Sequence, residues 1–217
     1  MNSYKSFTLA LEKAADLAKR DIKEIELIAV SKKKPVQNII EVVRQNHVSF
    51  GENQIQEIET KWPDLKMKFP NLSLNFIGSI QSRKVEAIHE HCDVIHSIDR
   101  LKIIKLFSNL ESSTGIKRKY FIQINTGNES QKSGVLFQDA EKFISDCIGN
   151  YKLNFVGLMC LPPINEDPKV HFIKLRDLAK NFHLPYLSMG MSGDYETAIA
   201  CGATHIRIGT HIFGERN

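Results

Sequence analysis

The chain is poor in cysteine, in tryptophan and in charge of one sign, with four Cys, one Trp and a formal net charge of only +4 in 217 residues. Cys92, Cys147, Cys160 and Cys201 are scattered, with no CxxC pair, in a chain too large to need disulfide staples, so a reducing cytoplasm is the expected compartment. The 29 Lys+Arg and 25 Asp+Glu are interleaved and form no basic stripe, which argues against a dedicated nucleic-acid binder. The most apolar stretch, from Phe155 to Ile164, is interrupted by Pro162-Pro163 and is about half of the ~20 residues that a membrane-spanning helix requires. Glu12 and Asp16 fall inside the apolar periodicity of the N-terminus and leave no uninterrupted h-region, so it reads as a helix and not as a signal peptide. Also missing are internal repeats, low-complexity tracts, long linkers and a G-x-G-x-x-G after the first strand, the last of which argues against an open dinucleotide-binding sheet.

What the chain does have is regular alternation. Eight short β-branched or apolar runs, Leu27–Ser31, Val48–Gly51, Leu74–Gly78, Val94–Ile98, Tyr120–Asn125, Phe155–Leu161, Tyr186–Met191 and His205–Gly209, are separated by amphipathic stretches long enough for helical crossovers. Ala140, Phe143, Ile144 and Cys147 form one helical stripe, and Phe172, Leu175, Ala179 and Phe182 form another. Pro35 stands where a first helical turn would start, Asn53 and Ser82 stand as N-caps, and Gly202 stands as a helix stop. With an extra helix around Phe7, Leu11, Ala14 and Ala18, the pattern predicts an α/β fold: a single (β/α)8 TIM barrel occupying residues 1–217 as one domain. The polar loops Gly127–Gln138 and Pro162–Pro168 are candidates for function by their length.

Barrel enzymes place their chemistry at the C-terminal strand ends and the loops that follow. That rule selects Ser31, Lys32, Lys34, Glu52, Asn53, Ser79, Gln81, Asp99, Asn125, Met159, Met191, Ser192, Gly209 and Thr210. Lys32 would lose hydration at the end of a buried strand and has Lys33 and Lys34 beside it, both of which favour the neutral amine that forms Schiff bases. A run of three lysines is more often a solvated turn, and spacing alone leaves both readings open. Ser192-Gly193 and Gly209-Thr210 follow the last two strands, where barrels commonly hold a phosphate, although glycines there also serve ordinary turns. His89 and His91 point apart on one helix, so they and His96 are expected as surface or core histidines, not metal ligands. Ser31, His47 and Asp99 could compose a triad, but no nucleophile-elbow sequence supports one, and Trp62 reads as a packing residue.

Six segments carry a family resemblance: Leu27–Pro35 (LIAVSKKKP), Phe50–Asn53 (FGEN), Phe76–Lys84 (FIGSIQSRK), Gly157–Met159 (GLM), Leu187–Ile199 (LSMGMSGDYETAI) and Arg207–Arg216 (RIGTHIFGER). In this order the chain resembles the YggS/PROSC family of pyridoxal-phosphate-binding proteins, the PLP homeostasis proteins. The resemblance implies a barrel like the N-terminal domain of alanine racemase, with pyridoxal 5'-phosphate (PLP) held covalently as a Schiff base to Lys32. It further implies that Ser192 and the adjacent backbone at Met191, together with Gly209 and Thr210, hold the phosphate, that Arg207 faces the pyridine nitrogen, and that Asn53 lines the pocket. Three residues depart from the family pattern: Asn75 where His is expected, Arg83 where Asn is usual, and Lys33 where Thr is common. None of the three is assigned to the cofactor.

An arginine at the pyridine nitrogen disfavours its protonation and makes the ring a poorer electron sink. The chain ends at Asn217, shortly after the eighth strand, and the second domain through which a racemase partner subunit supplies its other acid/base group is expected to be absent. A monomer that buffers or delivers PLP to PLP-dependent apoenzymes, without robust turnover, is therefore expected. The alternatives are a weak PLP-dependent amino-acid racemase, using Lys32 with Tyr195 or a water, and a phosphosugar aldolase or isomerase using Lys32 on substrate.

Overall fold

A computed structural model describes residues 3–215. Eight parallel strands close on one another: β1 (Glu26–Val30), β2 (Ser49–Glu52), β3 (Ser73–Phe76), β4 (Val94–Ile98), β5 (Lys119–Asn125), β7 (Asn154–Cys160), β8 (Tyr186–Met191) and β9 (His205–Ile208). Closure runs through β1–β9 on one side, in the register Ile28↔Arg207, and through β4–β5 on the other, in the register Ile95↔Tyr120. The expected (β/α)8 barrel is present, and every one of the eight apolar runs became one of its strands. A ninth strand, β6 (Val135–Leu136), pairs only with the upper end of β5 and was not expected from the sequence. It arises inside the long Gly127–Gln138 loop, which the Asn125 side chain gathers by donating to Glu129 O at 2.8 Å while its Oδ1 accepts the Glu129 N–H at 3.1 Å.

Strand alternation sorts the side chains into two layers. Outward-facing Phe50, Leu74, Ile95, Tyr120, Leu158 and Ile206 merge with the helices into one core whose largest fully buried member is Trp62 of α3 (Ile55–Lys68). Inward-facing Val94, Phe121 and Met159 form a separate small cluster inside the barrel. The rest of the interior combines Ile28 and Val30 of β1 with polar Ser49, Asn75, His96, Ser188, His205 and Arg207, all buried.

The N-terminal helix α1 (Ser3–Leu17) buries Phe7, Leu11, Ala14 and Ala15. It rests on α8 (Tyr195–Ala200) and α9 (Thr210–Phe213), with the Phe7 ring 5.2 Å from Tyr195 and stacked on His211. Two of the caps read from the sequence are shifted. The cap of α3 is Gln54, because Asn53 sits one residue earlier with its carbonyl pressed on Gly78. Ser82 opens a 3-10 turn capped by Gln81, and α4 (Val85–His91) begins after it. Pro35 is the N-cap of α2 (Val36–Val43), and Gly202 follows α8 with φ +100°, as a helix stop should. No helix among the described residues is long and apolar enough to cross a membrane.

Candidate functional site

The C-terminal mouth of the barrel holds a cavity of about 440 Å³ lined by Lys32, Asn53, Met191, Ser192, Arg207, Gly209 and Thr210, together with Val30, Ile77, Gly78, Ser79, Met159, Leu161 and Gly193. Residues that lie up to 180 positions apart, from Val30 to Thr210, meet because strands β1 and β9 are neighbours in the closed sheet.

Lys32 is half-buried and follows β1 on a tied turn. Ser31 N–H donates to Gly51 O at 3.0 Å, and Lys34 N–H donates back to Ser31 O at 3.0 Å. Lys33 takes a left-handed conformation, φ +59°, that a side chain seldom adopts, and its N–H is held by Glu57 Oε2 at 2.7 Å. The three-lysine run is thus pinned by its backbone. Lys33 points to solvent, and Lys34 Nζ donates to Glu215 O at 2.6 Å.

Behind this turn lies Glu52, with no exposed surface. Its Oε1 accepts from Ser31 Oγ at 2.8 Å and from Trp62 Nε1 at 3.4 Å, and lies 3.6 Å from Lys61 Nζ, which also pairs with Glu57. Burial pushes the Glu52 carboxyl above its ordinary pKa, while Lys61 and Ser31 pull in the opposite direction. Glu52 faces α3 from the outside of the barrel and does not line the cavity, so it supports Lys32 and Asn53 from behind. Asn53 is placed by a close approach. A Cβ on Gly78 would stand 2.1 Å from Asn53 O, so only glycine lets β3 end so near it.

Arg207 lies in the cavity wall and is almost fully buried. Its Nη1 donates to Ser188 Oγ at 2.7 Å and its Nη2 to Cys160 O at 2.9 Å, and it makes no ion pair among the described residues. Burial lowers its pKa from the ordinary arginine value, yet a guanidinium stays charged in proteins. The cavity therefore contains a desolvated cation whose unspent N–H groups can serve only acceptors.

At the other wall, Gly190 (φ +94°) turns the end of β8, and Met191 N–H is then caught by Asp194 Oδ1 at 2.6 Å. The Ser192 carbonyl accepts from His211 Nε2 at 2.9 Å. Neither the Ser192 nor the Thr210 hydroxyl has a protein hydrogen-bond partner among the described residues.

Other residues selected by the strand-end rule go elsewhere. Asn125 organises the β6 loop, Asp99 pairs with its neighbour Arg100, and Lys34 and Ser31 act in the β1 turn. Gln81 and Arg83 line an adjoining hollow of about 410 Å³ that shares Asn53 and Ser79 with the cavity. Ser31, His47 and Asp99 are not assembled: Ser31 serves Glu52, and His47 is held by Tyr4 and Ser49 O. Tyr195 donates to Glu196 and packs on Phe7, outside the cavity lining. His89 and His96 are core histidines, and no metal-holding cluster occurs among the described residues. Arg216, which closes the last of the six segments, lies outside the described residues. Sequence reasoning missed the apolar wall of Val30, Ile77 and Leu161, although each stands within two residues of a strand end it had found.

The family defined as "Alanine racemase, N-terminal domain" matches residues 9–217. The chain belongs to that family. Within the alanine racemase N-terminal domain family, it is 38% identical to the pyridoxal phosphate homeostasis protein of Vibrio alginolyticus, over 91% of this chain and 89% of the relative. It is 35% identical to the protein of the same name from Escherichia coli K12, over 94% of this chain and 91% of the relative. These identities show the resemblance read from the six segments. PipY of Synechococcus elongatus PCC7942, solved with PLP bound, superposes with a TM-score of 0.82 at 29% identity, covering 94% of this chain and 99% of that one. Alanine racemase from Corynebacterium glutamicum shares the fold at a TM-score of 0.68 and 17% identity, and this chain covers 58% of it.

Proposed function

We propose that this protein binds pyridoxal 5'-phosphate in the barrel-mouth cavity, covalently as a Schiff base to Lys32, and that it buffers and delivers the cofactor without turning it over. The observation that carries the reading is the convergence on one cavity of a half-buried primary amine, a buried guanidinium and two hydroxyls, the guanidinium with no ion pair and the hydroxyls with no hydrogen-bond partner among the described residues. PLP offers a group for each: an aldehyde, an aromatic ring nitrogen and a phosphate. When bound, it supplies an aldehyde that exchanges between amines and a ring that accepts electrons.

In this reading Lys32 is the anchor, and the turn fixed by Glu57 and Glu52 holds it against the mouth. The Ser192 and Thr210 hydroxyls hold the phosphate with the backbone at Gly193 and Gly209, while Met191 and Asn53 line the ring's edge. Arg207 gives the ring nitrogen a donor and denies it a proton, because two adjacent positive charges in a desolvated site repel. A neutral ring draws electrons weakly, and this favours storage over catalysis. Support also comes from the name shared by the curated relatives and from the PLP-bound structure of PipY.

The barrel of residues 1–217 then works as a single cytoplasmic unit, a monomer whose partners are PLP and the apoenzymes that receive it. Transfer tests this directly. The PLP-loaded protein is mixed with a PLP-dependent apoenzyme while a phosphatase that destroys free PLP is present. Recovery of enzyme activity under those conditions supports delivery. Recovery abolished by the phosphatase contradicts it, and steady-state racemisation of alanine or serine that depends on Lys32 would move the weak racemase ahead.

A further inference from the structure

Five hydrogen bonds cross the barrel interior from the cavity to the opposite mouth. Arg207 Nη1 bonds Ser188 Oγ at 2.7 Å, Ser188 Oγ bonds His96 Nδ1 at 2.9 Å, and His96 Nε2 bonds Asn75 Oδ1 at 2.9 Å. Asn75 Nδ2 then bonds Ser49 Oγ at 3.0 Å, and Ser49 Oγ bonds Glu26 Oε1 at 2.6 Å. These residues come from six different strands, and none except Arg207 lines the cavity.

The ends of each link fix its direction. The Asn75 amide is oriented by a second bond, from Nδ2 to Phe50 O at 3.0 Å, so its Oδ1 can only accept. His96 must therefore carry a proton on Nε2. Burial, with His205 and Arg207 nearby, holds this imidazole well below its usual pKa, so Nδ1 is bare and accepts the Ser188 hydroxyl proton. The Ser188 oxygen is then left with lone pairs only, and these receive Arg207. At the far end Ser49 accepts from Asn75 and donates to the Glu26 carboxylate. Every donor points the same way, from guanidinium to carboxylate. The His96 ring is also clamped, stacked on Phe121 with centroids 4.4 Å apart and planes 9° from parallel.

We infer that Ser188 and His96 are positioning residues for Arg207, and that their one-way chain makes the cavity wall selective for a ligand carrying an unprotonated ring nitrogen. The chain occupies one N–H of the guanidinium and Cys160 O a second, which fixes the plane of the group and the direction of its remaining donors. A ring nitrogen with a free lone pair completes the sequence of donors and acceptors. A protonated one sets donor against donor. The inference rests on the PLP reading of the cavity and adds to it which interior residues enforce the ring's protonation state.

The test compares two ligands on the whole protein: PLP and its 1-deaza analogue, in which CH replaces the ring nitrogen. Each is titrated by absorption against wild-type protein, Ser188→Ala and His96→Phe, the last of which keeps an aromatic ring against Phe121. The expected result is that both variants bind PLP about 5- to 10-fold more weakly, the effect of one misdirected hydrogen bond, while affinity for the analogue stays within about 2-fold. Equal weakening for both ligands marks a structural role and overturns the inference, as does no change for either. A wild-type protein that binds neither ligand overturns the PLP reading and this inference with it. Independently of any variant's folding, the nitrogen chemical shifts of His96 in the wild-type protein are expected to report a neutral ring protonated on Nε2. A ring protonated on Nδ1 reverses the chain and contradicts the inference.

Discussion

The Ser31 hydroxyl donates a 2.8 Å hydrogen bond to the fully buried carboxylate of Glu52, tying the end of β1 to the end of β2 behind the cavity. Each partner directly precedes a cavity residue, Lys32 or Asn53, so the bond sets the spacing of two side chains that it does not itself contain.

This bond predicts a pH-dependent mutational effect. The folded-state pKa of Glu52 is raised, so its net effect on stability becomes unfavourable as pH rises and the buried group ionises. Ser31→Ala removes a donor that the ionised form needs most and raises that pKa further. The variant is expected to lose about 1–3 kcal/mol near neutral pH. Thermal unfolding checks it: the deficit in Tm should grow as pH rises above the ordinary glutamate range. A deficit that does not change with pH would show that Ser31 does not act through the Glu52 charge.

Gly78 and Gly193 make a matched pair. A Cβ at Gly78 would meet backbone atoms of Asn53 at 2.1, 2.8 and 2.9 Å, whereas a Cβ at Gly193 would meet nothing within 4 Å. Gly78→Ala should therefore cost at least about 1–3 kcal/mol, since backbone cannot move aside as a flexible side chain can. Gly193→Ala should stay within about 0.5 kcal/mol of the parent in urea unfolding. Equal stability of the two variants would remove the steric account of how Asn53 is placed.

The buried histidines set the acid side of the stability profile. Burial lowers the folded-state pKa values of His47, His89 and His96 from the ordinary 6.5, that of His96 furthest. Below about pH 6.5 the unfolded chain binds protons that the folded one refuses, so stability is lost as pH falls from there toward the folded-state values. One such group contributes a slope of at most about 1.4 kcal/mol per pH unit. His96→Gln should flatten the decline in unfolding free energy between about pH 6.5 and pH 5 without abolishing it, because His47 and His89 remain. Parallel profiles for the two proteins would contradict a neutral His96.

The outer layer of this fold was legible because parallel strands, covered on both faces by helices and barrel interior, read as nearly continuous apolar runs. The two-residue β6 was not: Val135-Leu136 is too short for any periodicity and exists only because Asn125 folds its loop against β5. Lys32, Asn53, Ser79, Ser192 and Thr210 were found because the C-terminal strand ends are points in the sequence, whereas Arg207, inside β9, came only from the family resemblance. The chain from Arg207 to Glu26 was hidden for a different reason. Glu26, Ser49, Asn75, His96 and Ser188 each stand on a different strand, and only the register of a closed sheet brings them together. A polar residue at an inward-facing position was the available signal, but which residues would meet across the barrel cannot be read without the closure. Asp99 and Asn125 show the converse, since a place at a strand end gives access to the mouth but does not direct the side chain into it.

The most direct measurement is borohydride reduction of the PLP-mixed protein, followed by peptide mapping of the modified lysine. Covalent anchoring at Lys32 predicts that the visible Schiff-base absorption disappears on reduction, that the label is on Lys32, and that Lys32→Ala takes up none. A label on another lysine, or no Schiff base at all with the folded protein, would contradict it.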